Sequence, residues 1–335
     1  METPPNYWDH PDWWDEGSAD TSGVAFVAER RLGDVLRDTW AFFRANGVEF
    51  GLGLIVLAAP VVFANVLVTL AAGTTHGTVA ALTNVALSGF VRFAAWEAGA
   101  GVLWLAQHAL SLAALAVLVA ATFAYLSRYT QGHAGGITPD VLWQDTRPLL
   151  APVGATFLVF GAALLGLHTL ARLPMVGGLV WLGGLFALTA VGSLWTVAMA
   201  YETDHLPDGL RRVSALLGGR AGPGAMRERL RPTLGIVAMA LLVGVVVQPV
   251  AFVLGVVARM GDAVGGVLGG TVLVAVEVLG LALLPVVALP TVAATFVYGH
   301  LLALEQRDAA PPPSFPAGDG ATGASEAAPS PAAWS

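Results

Sequence analysis

Six long runs of apolar residues dominate the chain, at about 50–72, 100–126, 152–171, 175–201, 233–258 and 267–302. Crossing the hydrocarbon of a bilayer takes about 20 helical residues, and each run reaches that length. None alternates apolar and polar positions with a period of two. All are far longer than a barrel strand, so the pattern predicts helices and excludes a transmembrane β-barrel. The last run exceeds one straight crossing. Pro285 and Pro290 predict a break within it, with its start lying along the outer surface. The expected fold is all-α, a polytopic membrane helix bundle of about six transmembrane helices.

The polar stretches between the runs carry a consistent sign. Arg30, Arg31, Arg37 and Arg44 precede the first run, and Arg128 and Arg147 fall between the second and third. Arg211, Arg212, Arg220, Arg227, Arg229 and Arg231 fall between the fourth and fifth, and Arg307 follows the sixth. The opposite side receives only Arg92, Arg172 and Arg259. The positive-inside rule therefore predicts a plasma-membrane protein with both termini cytoplasmic. It divides the chain into a tail at 1–28, a membrane domain at 29–306 and a second tail at 307–335.

The odd-numbered runs are each preceded by an amphipathic stretch. In LGDVLRDTWAFFRANG, Leu32, Val35, Leu36, Trp40 and Phe43 fall on one helical face. ITPDVLWQDTRPLL repeats part of that pattern, and GLRRVSALLGGRAGPGAMRERLRPTL is interrupted by Gly-Pro-Gly. The even-numbered runs end alike, in ATFAY at Tyr125, TVAMAY at Tyr201 and ATFVY at Tyr298. The pattern predicts three repeats of an interfacial amphipathic helix plus a transmembrane hairpin, with the tyrosine rings at the interface. Gly261, Gly265 and Gly269, and Gly266 with Gly270, recur at the four-residue spacing that lets helix backbones approach closely in lipid.

Composition supports the membrane reading. Of 335 residues, 56% are hydrophobic and 12% charged, with mean hydropathy +0.71. A soluble domain carries about 25% charged residues. The absence of cysteine excludes disulfides, zinc–thiolate sites and iron–sulfur clusters. All sixteen basic residues are arginine, whose guanidinium forks onto lipid phosphates. The net charge of −7 argues against nucleic acid as a partner. Much of that charge sits in the first tail, where Asp9, Asp12, Asp15, Glu16 and Asp20 mix with Tyr7, Trp8, Trp13 and Trp14. Such a start is not a secretory signal pattern. The second tail is Pro, Ala, Gly and Ser, and both tails are expected to be disordered in isolation.

Polar residues at membrane depth are the natural candidates for chemistry. They are Asn65, Gln107, His108, His168, Gln248 and Glu277, all expected in the outer half of the bilayer. Aligning Tyr125 with Tyr298 sets His108 and Glu277 four positions apart, one helical turn on the same face. An outward-facing polar cavity around this pair would bind a cation or relay a proton. The competing reading is structural pairing, with the buried Glu neutral. The chain carries no zinc-protease, Walker or nucleophile-elbow signature, so no catalytic residue, metal ligand or cofactor is assigned. His10 among the tail carboxylates reads as solvated charge. Arg211, Arg212, Arg227, Arg229 and Arg231 are candidate contacts to lipid headgroups.

LGDVLRDTWAFFRANG ahead of an apolar run, and LPVVALPTVAATFVYGHLLALE near the end, carry a family resemblance. The chain resembles, over about residues 30–306, the membrane-domain family fused to some glycerophosphodiester phosphodiesterases. Related stand-alone six-helix bacterial and archaeal membrane proteins of unknown function belong to the same comparison. The resemblance implies a multi-helix membrane module with interfacial helices that is not itself catalytic. It transfers no catalytic residue, because no soluble segment is long enough for the phosphodiesterase barrel. The Trp- and Asp-rich tail lies outside it. The expected function is a non-enzymatic membrane scaffold that organises lipids or a partner membrane protein. The alternative is a small-solute or cation transporter using the cavity around Glu277 and His108.

Overall fold

The computed structural model describes residues 26–72, 101–131, 137–170, 177–203, 205–218 and 223–309. The secondary structure of these residues is helical: α1 (Leu32–Ala72), α2 (Gly101–Thr130), α3 (Pro139–Leu170), α4 (Gly177–Tyr201), α5 (Leu206–Gly218), α6 (Pro223–Val264), α7 (Gly266–Leu281), α8 (Leu284–Val287) and α9 (Leu289–Ala309). Among the described residues, six stretches are long and apolar enough to cross a membrane: Leu32–Val68, Leu112–Thr130, Pro139–Ala163, Gly177–Tyr201, Met226–Ala258 and Leu284–Ala309. This is the architecture of a multi-pass membrane protein.

Proline and glycine explain where the helices start and stop. Pro139 opens α3 and Pro223 opens α6, while Pro207, Pro285 and Pro290 each stand second in their helix. Proline is pre-organised for the first helical turn, where its missing N–H costs nothing. The expected break in the last apolar run occurs at Ala282–Leu283 and again at Ala288, leaving α7 as a shorter apolar helix before the crossing helix α9. The turn from α6 into α7 is made by Gly265 (φ 67°, ψ −177°) and Gly266 (φ 60°). A Cβ at the first of these would be strained, which is why glycine stands there. Gly261 then lets α7 close onto α6, since a Cβ there would come within 2.7 Å of Val272. The spaced glycines thus build one tight helical hairpin.

The amphipathic stretches differ from the expectation. The stretches at 32–47 and 137–150 are not separate interfacial helices: from Leu32 and from Pro139 they form the opening turns of α1 and α3. The helix runs on from each into the apolar residues that follow, and in α3 it does so with Pro148 and Pro152 carried inside it. Only the third stretch is interrupted, around Gly222-Pro223-Gly224, and only there does a separate amphipathic helix, α5, form.

The C-terminal helix α9 occupies the centre. It packs against α1, α2, α4 and α6, and its residues from Val292 through Leu302 are all buried. Around it, α1 pairs with α2, α2 with α3 and α3 with α4. The outer flanks stay apolar and exposed, including Phe63 on α1, Leu158 on α3, Leu179 on α4 and Phe252 on α6. Contiguous exposed apolar flanks on several helices are what lipid contact requires.

The tyrosines also differ from the expectation. Tyr125 and Tyr298 are 1% and 0% exposed, inside the bundle instead of on its rim. The Tyr125 ring stands edge-on to Phe42 and Phe50, at centroid distances of 6.0 and 5.2 Å. Tyr201 is half-buried, and its hydroxyl donates to the Phe123 carbonyl at 2.9 Å. The physical reason is convergence: the helices meet at this end around α9, so matching positions turn inward.

Candidate functional site

The charged residues of this same end pair across the helices. Arg212 on α5 donates to Glu202 at 2.5 Å and, through both terminal nitrogens, to Glu305 on α9 at 2.7 and 2.8 Å. Burial works against its charge, but the two carboxylates outweigh this and move its pKa up. Arg229 on α6, only 5% exposed at its side chain, bridges Asp308 at 2.5 Å and the Leu216 carbonyl at the end of α5. Arg307 forks onto Glu228 at 3.0 Å and reaches Glu29 at 3.2 Å. Arg128 holds Asp145 across the α2–α3 connection at 2.5 and 3.1 Å.

Ahead of α1, residues 26–31 form a strap laid over α9. The Arg30 backbone N–H donates to His300 Nδ1 at 2.9 Å. The Arg30 guanidinium donates to the Phe26 carbonyl at 2.8 Å and to Asp38 at 3.0 Å, and lies 4.9 Å from the Phe296 ring centre. Burial lowers the Arg30 pKa, and the Asp38 carboxylate acts in the opposite direction. Gly299 makes this contact possible, because a Cβ there would run into the Phe26 carbonyl.

The sequence-selected arginines therefore divide. Arg212 and Arg229 are engaged by carboxylates inside the bundle end. Arg211 is 81% exposed at its side chain and lies 3.2 Å from Asp208, and Arg227 and Arg231 are exposed on the first turns of α6. Of the candidate polar cavity, Asn65 and Glu277 are buried at 1% and 2% exposure, and Gln248 is half-buried. Their helices, α1, α7 and α6, pack against one another. The side chains of Gln107, His108 and His168 lie outside the described residues, as do residues 1–25 with His10, residues 310–335, Arg92, Arg172 and Arg220. Among the described residues no three His, Asp or Glu side chains converge as a metal-binding set.

Two cavities were not foreseen. A cavity of about 80 Å³ lies among α2, α3, α4 and α9, with Thr156, Ser193, Thr196 and Thr291 in its wall. Thr156 and Thr196 hydroxyls stand 3.3 Å apart across the α3–α4 interface. The small-residue spacing of Gly192 and Thr196 was the available signal, because it marks close helix approach. The second is a groove of about 750 Å³ between α3 and the start of α5. Pro152 and Ala155 form one wall, Leu206 and Pro207 the other, and His205, Asp208 and Arg211 the polar rim. The corner is held by Trp195, whose indole N–H donates to the Leu206 carbonyl at 3.1 Å. Nothing in the local sequence announced this groove, since its walls come from segments some fifty residues apart.

Comparison with protein-family models, with curated proteins and with solved structures gave no match to this chain.

Proposed function

We infer that this protein is a non-enzymatic membrane scaffold that organises lipids, or a partner membrane protein, at the charged end of its bundle. The observation that carries the reading is the amphipathic helix α5. It buries Val213 and Leu216 against the bundle and is fastened there by Arg212. Arg211 and, on neighbouring α6, Arg227 and Arg231 remain directed to the surroundings. Ion pairs that immobilise helix ends suit a static organiser, and exposed arginines beside apolar flanks suit phospholipid headgroups. The arginine asymmetry supports a plasma-membrane location with this end and both termini in the cytoplasm. The matching positions of Tyr125, Tyr201 and Tyr298 support descent from a threefold-repeated hairpin. The resemblance to the membrane module of glycerophosphodiester phosphodiesterases forms part of the same proposal.

The test is lipid retention. An arginine near an anionic surface contributes about 1 kcal/mol. Replacing Arg227 and Arg231 together by Ala is therefore expected to weaken phosphatidylglycerol binding to the purified protein by roughly tenfold or more. Unchanged binding would remove the lipid-organising role from these arginines.

One observation favours a cation or small-solute transporter as the second reading. Glu277, at 2% exposure, lies on α7, which is separated from α9 by two helix breaks. Interrupted helices beside a buried carboxylate are a transporter feature. Glu277→Gln in proteoliposomes discriminates. A coupled transporter loses cation-dependent uptake, whereas the scaffold shows no uptake before or after the change.

A further inference from the structure

The groove between α3 and α5 has a charge pattern more specific than an anion site. Its rim carries Arg211 and Asp208, 3.2 Å apart and both largely exposed, with the exposed His205 beside them. A purely anionic headgroup on Arg211 would face the Asp208 carboxylate at close range, which costs affinity. A headgroup carrying both a phosphate and an ammonium meets each charge with its opposite. Choline is a poor fit for the second position, because its quaternary nitrogen has no N–H to donate to a carboxylate.

The walls specify the rest of the ligand. Pro152, Ala155, Leu206 and Pro207 present apolar surface without polar side chains. From Ala155 the flank of α3 continues one turn on through exposed Leu158 and Val159. An acyl chain entering the groove would run along that flank into the hydrocarbon. The volume of about 750 Å³ lies within the range of small-molecule sites, so a headgroup and the first part of its chains fit.

We propose that this groove holds one zwitterionic aminophospholipid, its phosphate on Arg211 and His205, its ammonium on Asp208, and an acyl chain along Pro152 and Ala155. The assignment rests on the lipid-organising reading above and narrows it to one headgroup class and one place. Arg211 and Asp208 then act as a selectivity pair, while Arg227 and Arg231 serve the anionic surface.

The test is native mass spectrometry of the full-length protein in mild detergent, titrated with phosphatidylethanolamine, phosphatidylglycerol and phosphatidylcholine. One phosphatidylethanolamine should bind about tenfold more tightly than either competitor, the equivalent of one well-formed charged contact. Asp208→Asn should bring the preference over phosphatidylglycerol to near unity or below. Ala155→Trp fills the α3 wall without touching a charge, and should expel the tightly held lipid. The two variants lie on different helices, so a folding defect in one leaves the other as the test, with each variant's melting curve as the control. Equal binding of the three lipids, an unchanged preference in Asp208→Asn, or retained lipid in Ala155→Trp would each overturn the proposal. Loss of phosphatidylglycerol surface binding on replacing Arg227 and Arg231 tests the broader reading alone, so the two fail separately.

Discussion

Replacing Arg212 by Ala is expected to lower the melting temperature of the purified protein by about 5 °C. In the native protein one guanidinium satisfies two carboxylates from different parts of the chain, Glu202 after α4 and Glu305 on α9. Removing it loses the ion pairs and also leaves two negative groups facing a shared space. The side chains are partly solvated, with Arg212 29% and Glu305 44% exposed, so water screens some of the loss. A cost of about 2 kcal/mol follows from charge-assisted hydrogen bonds discounted for that exposure. At this chain size that corresponds to a few degrees per kcal/mol. The diagnostic comparison is the double variant. Adding Glu305→Gln to Arg212→Ala removes the residual repulsion and should recover about half of the lost stability, although by itself Glu305→Gln weakens a wild-type contact. Arg212→Lys should fall between, because an ammonium cannot fork onto both carboxylates. A double variant that melts no higher than Arg212→Ala would show that these contacts are not held by charge balance.

Those ion pairs mark the boundary of what the sequence could disclose. The apolar runs and the arginine asymmetry are one-dimensional signals, and they indicated the helical bundle with its six apolar crossings. The break before α9 was equally legible, because Pro285 and Pro290 act locally on the backbone they occupy. Helix continuity was less so. The stretches at 32–47 and 137–150 have the amphipathic pattern of surface helices, yet that pattern is equally compatible with the opening turns of a longer helix. Proline alone does not separate the cases, since α3 carries Pro148 and Pro152 inside it; the interrupted stretch is the one where Pro223 is flanked by Gly222 and Gly224.

The pairing partners of the arginines were not legible at all. Arg212 with Glu305 and Arg229 with Asp308 are separated by 93 and 79 positions. Periodicity carries no information at that range. The arginines counted for topology therefore looked available for lipid, and only the fold shows that Arg212 and Arg229 are engaged internally. Tyr125 and Tyr298 illustrate the same limit. Their shared position at helix ends was visible, but the direction of a ring depends on what surrounds it, and α9 and the Phe42–Phe50 pair surround the Tyr125 ring with protein. The groove on α3 and α5 belongs to this class too, since Ala155 and Arg211 become neighbours only after α4 has turned the chain back.

Gly299→Val should release the N-terminal strap and expose it to protease. The backbone of residues 26–31 crosses α9 where residue 299 has no side chain, and a Cβ would occupy the space of the Phe26 carbonyl. Backbone cannot move aside as a flexible side chain can. The strap must lift, which breaks the Arg30 N–H bond to His300, the guanidinium bond to Asp38 and the stacking on Phe296. Trypsin reads the change directly, because Arg30 is buried in the docked strap while Arg31 beside it is exposed. Cleavage needs an extended local chain, so its rate follows the population of the lifted state. Each 1.4 kcal/mol lost from docking multiplies that population tenfold. Several broken contacts therefore predict an increase of roughly tenfold to a hundredfold in cutting after Arg30. Gly33→Ala is the control, since a Cβ there meets nothing within 4 Å. It should leave the cleavage rate unchanged. Equal resistance of Gly299→Val and the wild type would mean that the strap is not held by its passage over α9. Release without loss of the helical bundle would instead identify residues 26–31 as the joint through which the acidic tail is attached to the central helix.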